Sequence, residues 1–195
     1  MPVKGEPFTL TDNKMIDFTY FKVPEKTAGE LGFEKICSIG EDGEAVVITA
    51  GNKNELFRKA KLEKEKGKIV IFEGSSDEMN RNALECKSID ILLSPEKMIR
   101  KDSMHNRNSG LNHVLCKLAV QNNISIGINF SELLNLEGAE KARRIGRILQ
   151  NARLCRKFKT KLFIASFAKN PREMRDAYDF KSLLEVLGGT DTPII

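Results

Sequence analysis

The chain alternates short apolar runs, many of them rich in β-branched residues, with longer amphipathic stretches. This order is typical of repeated βα units that build a parallel sheet. Seven of the apolar runs predict strands, at residues 15–21, 35–39, 45–49, 68–73, 89–93, 124–129 and 162–167. The runs are nearly continuously apolar, which indicates strands buried on both faces. The pattern therefore favours an α/β barrel or a doubly wound sheet over a sheet covered on one side.

The amphipathic stretches predict the helices that connect these strands. They cover residues 28–33, 53–66, 76–86, 110–122, 137–157 and 171–187, with the last helix interrupted near Asp179. Several helix ends carry clear signals: Asn52 as an N-cap, Gly67 after a C-terminus and Pro171 in a first turn. The long polar segment 94–109 follows a predicted strand, and α/β folds place binding groups in such loops.

The length of 195 residues, 41% of them hydrophobic, is enough for one domain with a substantial core. We expect a single α/β barrel-like domain over residues 1–195, with a short tail at 190–195. No apolar run approaches the ~18 residues that span a bilayer, and the N-terminus has no apolar signal segment. A cytoplasmic location without a membrane partner is therefore expected. The four cysteines are far apart and form no CxxC pair, which favours reduced core thiols over a zinc site.

Charge divides the chain into two unlike halves. Residues 1–96 hold 14 basic and 18 acidic residues, for a net charge of −4, whereas residues 97–195 hold 18 and 9, for a net charge of +9. From Lys141 to Arg172 the chain carries eleven basic residues and no acidic one. Solvated surfaces normally mix both signs, so this stretch predicts an electropositive patch with a binding role.

The predicted helix 137–157 carries much of this charge. At 100° per residue, one face holds Ala142, Ile145, Ile148, Leu149, Ala152 and Cys155. The opposite face holds Arg143, Arg147, Gln150, Arg153 and Lys157, with Arg156 near the packed side. No acidic residue after Glu140 can pair with these cations along the helix. Phosphate binding is the favoured interpretation, and a merely solubilising face is the alternative.

A second basic cluster lies in the long loop and the start of the next helix. Its members are Lys97, Arg100, Lys101, His105, Arg107, Asn112, His113 and Lys117. A helix N-terminus adds amide dipoles that favour phosphate, although an ordinary flexible loop would have a similar composition. The chain has no Trp and only two Tyr residues, so exposed aromatic platforms for single strands are scarce. We therefore expect recognition of folded RNA through its shape and phosphates.

Signals for catalysis by the chain's own side chains are weak. The segment 73–78 lacks the Walker pattern of glycines followed by Lys-Ser/Thr and is better explained by N-capping. Metal-dependent phosphoesterases on barrels need several His and carboxylate ligands, but this chain has two His residues, and Asp17-Phe18-Thr19 stands where such enzymes have His-x-His. We assign no catalytic or metal-binding residue. A phosphoesterase on the same barrel remains the alternative, which hydrolysis with Mn²⁺ and without an RNA cofactor would support.

The sequence also resembles a known family. Ser109-Gly110-Leu111-Asn112-His113 with the following Val-Leu-Cys-Lys-Leu-Ala, and then Asn-Asn-Ile-Ser-Ile-Gly-Ile at 122–128, is similar to archaeal ribonuclease P protein component 3. This is the thirty-kilodalton subunit family shared with eukaryotic ribonuclease P and MRP. The strand at 90–94, the Arg-rich helix, the strand at 163–166, the segment 170–175 and the segment 183–188 follow the family's order. The resemblance is strongest from about residue 68 onward.

The resemblance implies an irregular TIM-like barrel with about seven mostly parallel strands, related to the polymerase-and-histidinol-phosphatase barrels but without their metal site. It implies a protein subunit of the ribonucleoprotein endonuclease that removes the 5′ leader of precursor tRNA. The catalytic RNA, with its bound magnesium, would perform the hydrolysis, and this chain would bind no cofactor. The implied partners are the ribonuclease P RNA, protein component 2 and other holoenzyme proteins, with precursor tRNA contacted indirectly.

The family's RNA-contacting residues carry over only where local motifs match. These are Arg100, Arg107, Arg153, Arg156, Arg172 and Arg175. The charge layout alone adds Lys97, Lys101, Arg143 and Arg147, and the second basic cluster and the cationic helix face add Asn112, His113, Lys117 and Lys157. The acidic first half is, by elimination, the better candidate for contacts with protein partners.

Overall fold

Seven strands form the centre of the molecule. In the computed structural model, the described residues are 15–97, 102 and 107–188. The strands are β1 (Ile16–Thr19), β2 (Lys35–Ser38), β3 (Ala45–Ile48), β4 (Ile69–Glu73), β5 (Ile91–Leu93), β6 (Ser125–Asn129) and β7 (Leu162–Ala165). Each lies within the bounds predicted from the apolar runs. The prediction was correct because an unbroken apolar run between turn residues has few other ways to bury itself.

The strands follow one another around a ring in chain order, and every pair is parallel. β1 pairs with β2, and β3 to β7 form a five-stranded sheet. Two isolated parallel bridges join these sheets, one between Ile39 and Ala45 and one between Thr19 and Ala168. The first bridge links β2 to β3 and the second links β7 back to β1. The fold is therefore the predicted irregular TIM-like barrel.

The inside of this ring is filled by side chains. Alternate strand residues point inward, so Ile69 and Ile71 of β4 join one apolar cluster while Val70 and Phe72 join the other. The inner cluster contains Phe18, Cys37, Ile39, Ala45, Ile69, Ile71, Ile91, Leu93, Phe163, Ala165 and Phe167. The Phe18 ring stacks on that of Phe167 at a centroid distance of 5.6 Å. The barrel interior is a packed core rather than a ligand cavity.

Asp17 fastens the seam between the first and last strands. Its Oδ1 accepts a hydrogen bond from the Ser166 amide at 2.6 Å, and its Oδ2 accepts one from the Ser166 hydroxyl at 2.6 Å. Burial raises the pKa of Asp17 to about 6, although these hydrogen bonds lower it. Asp17, which stands where metal-dependent phosphoesterases have His-x-His, thus has a structural role in closing the ring.

Seven α-helices surround the strands within the described part of the chain. They are α1 (Glu25–Glu30), α2 (Lys53–Glu65), α3 (Asp77–Glu85), α4 (His113–Gln121), α5 (Phe130–Asn135), α6 (Gly138–Phe158) and α7 (Ala177–Val186). Short 3₁₀ turns occur at Pro95–Lys97 and Pro171–Glu173. Buried side chains of these helices pack against the outward-facing side chains of the strands, and together they form the larger apolar core. No described helix is long and apolar enough to span a bilayer.

Three helix predictions were wrong in detail. The helix predicted at residues 28–33 is α1 at Glu25–Glu30, three residues earlier in the chain. The final predicted helix is two elements, because Asp176 caps α7 by accepting a hydrogen bond from the Asp179 amide at 2.8 Å. The break therefore precedes Ala177 rather than falling near Asp179. The short helix α5 was not predicted, since it follows β6 directly and has only six residues. The cysteine prediction is confirmed, because all four thiols are free and buried. The predicted tail at 190–195 lies outside the described residues.

Candidate functional site

The segment 107–110 is seated on helix α6 by a set of hydrogen bonds. Arg107 donates from Nη1 to the Gly146 carbonyl at 3.1 Å, and Gln150 donates to the Arg107 carbonyl at 3.1 Å and the Ser109 hydroxyl at 3.0 Å. Asn151 donates to the Ser109 carbonyl at 2.9 Å. A Cβ at position 146 would lie 3.2 Å from the guanidinium carbon of Arg107, so glycine permits this approach. The end of the basic loop thus lies directly against the basic helix α6.

The motif that starts α4 is explained by a tight turn and a cap. Gly110 has a φ of +75°, and a Cβ there would lie 1.9 Å from the Pro95 carbonyl oxygen. The Asn80 amide group donates to the carbonyls of Pro95 and Gly110 at 3.5 and 3.4 Å. Asn112 then accepts hydrogen bonds from the second and third helical amides at 2.9 and 3.0 Å. The Asn112 side-chain oxygen is therefore occupied as an N-cap.

A groove runs between α4 and α6, and we call it the α4–α6 groove. It has a volume of about 610 Å³ and is lined by Leu111, Asn112, His113, Lys117, Gln150, Leu154, Lys157 and Phe158. None of these lining residues is acidic. His113, Lys117 and Lys157 are exposed. The groove thus combines positive charge with an apolar floor, which suits a ligand that has phosphates and a flat ring.

The predicted phase of the basic helix was wrong at one important position. Arg147 is only 5% exposed, and its Nε and NH2 lie 2.9 and 2.8 Å from Oδ1 of Asp102. It also donates to the Glu96 carbonyl at 3.1 Å. Glu96 and Asp102, which lie between β5 and α4 in the chain, supply these partners. The buried face is rotated toward Gly146 and Asn151, while Ile145 is exposed. Arg147 is a structural residue in this arrangement.

Two further cations have acidic partners at the barrel mouth. Lys97 bridges Glu73 and Glu132, with its Nζ 2.7 Å from Glu132 Oε1. Arg144 lies 3.1 Å from Glu132 Oε2. The sequence along α6 offers Arg144 no acidic partner after Glu140, and the carboxylate comes instead from α5. The RNA contact predicted for Lys97 stays a prediction, and two carboxylates compete for its charge.

The strand ends offer no obvious metal site. Among the described residues, no group of three or more His, Cys, Asp or Glu side chains could hold a metal ion. Phe18 and Phe167 fill the centre of the barrel, and Asp17 is engaged by Ser166. Burial raises the pKa of Glu96 to about 7, although Arg144 and Arg147 oppose that rise. These residues fit a packed scaffold better than a two-metal hydrolase.

The remaining predicted contacts fall into three places. Arg143, Arg153 and Arg156 are exposed on α6, and Arg156 lies one turn after the buried Ala152. Arg172 is exposed in the turn after β7, and Arg175 lies 5.8 Å from the Phe130 ring centroid. Arg100, Lys101 and His105 lie outside the described residues. The structure therefore places Asn112, His113, Lys117 and Lys157 around the α4–α6 groove, whereas Arg107 lines a neighbouring pocket with Asp77, Glu78 and Arg81.

Sequence analysis missed one residue of this surface, Phe158. The sequence predicted few exposed aromatic platforms and assigned Phe158 no role, yet it lines the α4–α6 groove and is half-buried. The available signal was its position in Lys157-Phe158-Lys159 at the end of the helix, because flanking lysines place the aromatic ring near solvent.

The fold and the groove define the class of this protein: a parallel TIM-like barrel with a filled interior and a basic groove on its outer helices. The family model described as RNase P subunit p30 matches residues 44–192. Since this match covers more than half of the chain, the chain belongs to the RNase P subunit p30 family. The resemblance found in the sequence is confirmed.

Relatives and a solved structure agree with this membership. Ribonuclease P protein component 3 of Methanocaldococcus jannaschii is 30% identical over 91% of this chain and 75% of its own length. Component 3 of Methanosarcina acetivorans is 34% identical over 62% of this chain and 47% of its own length. A chain in the cryo-EM structure of an archaeal ribonuclease P with mature tRNA superposes with a TM-score of 0.66 at 28% identity, covering 94% of this chain and 76% of that one.

Proposed function

We propose that this chain is a protein subunit of a ribonuclease P ribonucleoprotein, the endonuclease that removes the 5′ leader of precursor tRNA. Its role is to bind and stabilise the catalytic RNA through the α4–α6 groove and the exposed arginines of α6. The catalytic RNA and its bound magnesium perform the hydrolysis. The relatives named component 3 and the ribonuclease P complex with tRNA support this assignment.

The observation that carries the proposal is the charge of the α4–α6 groove and of the adjoining exposed face of α6. His113, Lys117 and Lys157 line a groove with no acidic lining residue, and Arg153 and Arg156 are exposed on the same helix. A phosphate chain that crosses this surface would replace condensed counterions with protein cations, and release of those ions drives binding. The carboxylates of Glu73 and Glu132 at the barrel mouth are paired with Lys97 and Arg144. Asp77 and Glu78 line the neighbouring pocket and not this groove.

The proposal includes protein partners as well as RNA. In a holoenzyme the chain acts with protein component 2 and other subunits, and it touches precursor tRNA only indirectly. The acidic first half of the chain, which carries a net charge of −4 over residues 1–96, repels RNA and is left for protein contacts. The phosphoesterase alternative gains no support, since the relatives and the solved complex belong to ribonuclease P.

Salt dependence of RNA binding tests the proposed surface. We expect the double variant Arg153→Ala/Arg156→Ala to bind ribonuclease P RNA more weakly and to reduce the slope of log affinity against log salt by about two, since each lost phosphate contact removes about one counterion. Arg58→Ala is the matched control, because Arg58 is an exposed arginine on helix α2 in the acidic half. An unchanged slope in the double variant would show that these arginines do not contact RNA phosphates.

A further inference from the structure

Phe158 differs in its surroundings from the other half-buried aromatic that has a lysine near its ring. Phe57 on α2 has Lys53 Nζ 5.4 Å from its ring centroid and packs against the main core. Among the described residues, the half-buried hydrophobic side chains that pack against that core include Phe57 and Leu154 but not Phe158. Phe158 instead lines the α4–α6 groove. Core packing therefore does not account for an aromatic ring at this position.

Three cationic or titratable side chains surround the Phe158 ring. The ammonium groups of Lys117 and Lys157 lie 5.9 and 5.6 Å from its centroid, near the ~6 Å limit of a cation–π contact. The His113 ring centroid lies 6.4 Å away with an interplanar angle of 37°. Both ammonium groups lie over the ring at the outer limit of a cation–π contact, where the attraction is weak. Because Lys117 and Lys157 are exposed, a flat ligand with flanking phosphates can draw the ammonium groups onto those phosphates and take their place on the ring.

The His113 ring lies beside Phe158 and not opposite it. At a centroid distance of 6.4 Å and an interplanar angle of 37°, the two rings form a direct tilted contact, within the range of about 4.5–7 Å for aromatic pairs. A base would therefore stack on the exposed part of Phe158 and not between the two rings, and His113 is exposed at the start of α4 beside it. The groove volume of about 610 Å³ accommodates one nucleotide.

We propose that the α4–α6 groove binds one unpaired RNA nucleotide, whose base stacks on Phe158 beside His113 and whose flanking phosphates lie against Lys117 and Lys157. This inference rests on the proposed RNA-binding function and refines it, because it adds a base-stacking site to a phosphate-binding surface. Stacking is tolerant of sequence, since every base has a flat aromatic face. The site therefore selects unpaired RNA over a continuous helix.

Binding of the full 195-residue chain to an unstructured oligouridylate tests this site. We expect Phe158→Leu to weaken binding by about 5- to 100-fold, the range for loss of one stacked base, without changing the salt slope, because no phosphate contact is removed. Lys157→Ala should instead reduce the slope by about 0.7, the value per phosphate of a single strand. Phe57→Leu is the matched control and should bind as the unchanged chain does. Thermal unfolding of each variant verifies that it is folded.

Two further measurements separate stacking from loss of structure. A ribose-phosphate strand of equal length without bases should bind the unchanged chain and Phe158→Leu equally well. Phe158→Trp retains a flat ring and introduces the first tryptophan of the chain, since the sequence has none. We expect its fluorescence to be quenched by oligouridylate and not by the strand without bases. The indole fluorescence of the matched variant Phe57→Trp should not respond to either strand.

The outcomes distinguish this inference from the proposed function on which it rests. If Phe158→Leu binds oligouridylate as tightly as the unchanged chain while Lys157→Ala binds more weakly, the stacking site is refuted and the RNA-binding function stands. If the unchanged chain binds neither oligouridylate nor ribonuclease P RNA, both are refuted. If Phe158→Leu instead loses binding of a protein partner and keeps its RNA affinity, the groove is a protein-docking surface and the inference is wrong.

Discussion

Arg147 and Arg153 lie on the same helix and have different roles in this account. Arg147 is buried and paired with Asp102, whereas Arg153 is exposed. Their sequence contexts are alike, since both lie in the basic stretch without acidic neighbours. A carboxylate 45 positions away in the chain distinguishes them, and helical phasing cannot detect such a partner. Charge counting found the basic surface, but it could not divide that surface into structural and binding residues.

Truncation of the two arginines should affect stability to very different extents. We expect Arg147→Ala to lower the free energy of unfolding by about 2–4 kcal/mol, because Asp102 and the Glu96 carbonyl lose their charged partner in a partly buried site. Arg153→Ala should change stability by less than about 0.5 kcal/mol. Urea denaturation of both variants measures this difference. Equal stabilities would show that the Arg147 pair contributes nothing to the fold.

The buried carboxyl of Asp17 should make stability depend on pH. Because the folded pKa of about 6 lies above the ordinary value of 3.8, the folded state holds this proton more tightly than the unfolded state does. Stability from Asp17 is therefore complete below about pH 4 and is lost as the pH rises through about 6, by up to about 3 kcal/mol. Glu96, whose pKa is raised to about 7, adds a loss of the same sign.

Asp17→Asn tests the Asp17 share of this dependence. Its amide oxygen can accept the Ser166 amide hydrogen, and its NH₂ group can donate to the Ser166 hydroxyl, so the seam contact is kept without a titrating group. Between about pH 4 and pH 7, we expect the free energy of unfolding of Asp17→Asn to decrease less with rising pH than that of the unchanged chain. The same slope in both proteins would mean that Asp17 has an ordinary pKa.

At the scale of elements, strands were easier to predict than helix ends. All seven strands lie within their predicted bounds because buried parallel strands are marked by continuous apolar runs. Helix α5 was missed because six residues directly after a strand are too few for a visible helical period. The break before α7 depends on Asp176, whose capping role resembles an ordinary surface aspartate until the backbone is known.

The turn that precedes α4 links the loop to the barrel and should not tolerate a side chain. We expect Gly110→Ala to lower the free energy of unfolding by more than about 4 kcal/mol, because its Cβ would lie 1.9 Å from the Pro95 carbonyl oxygen at a positive φ of +75°. Gly67→Ala is the matched control, since Gly67 also has a positive φ but no atom within 4 Å of a Cβ. Thermal unfolding measures the stability of both variants. Similar losses of stability would show that backbone strain at the positive φ, and not the close approach to Pro95, is the main cause.

At the scale of the whole molecule, the ring of strands brings distant parts of the chain together. Thr19 bridges Ala168 at the seam, and segment 107–110 is seated on α6. The sequence predicted both the barrel and a basic surface, yet it could not predict the α4–α6 groove. That groove depends on the contacts of residues about 40 positions apart, such as Asn151 with Ser109, which local patterns do not encode.

The central claim is that this chain assists a catalytic RNA and performs no hydrolysis itself. Reconstitution of ribonuclease P from its RNA and its protein subunits, with and without this chain, tests the claim most directly through the rate of precursor tRNA cleavage. We predict that cleavage slows when the chain is omitted, and that the chain with Mg²⁺ or Mn²⁺ but without the catalytic RNA cleaves nothing. An unchanged rate without the chain, or cleavage by the chain alone, would contradict this account.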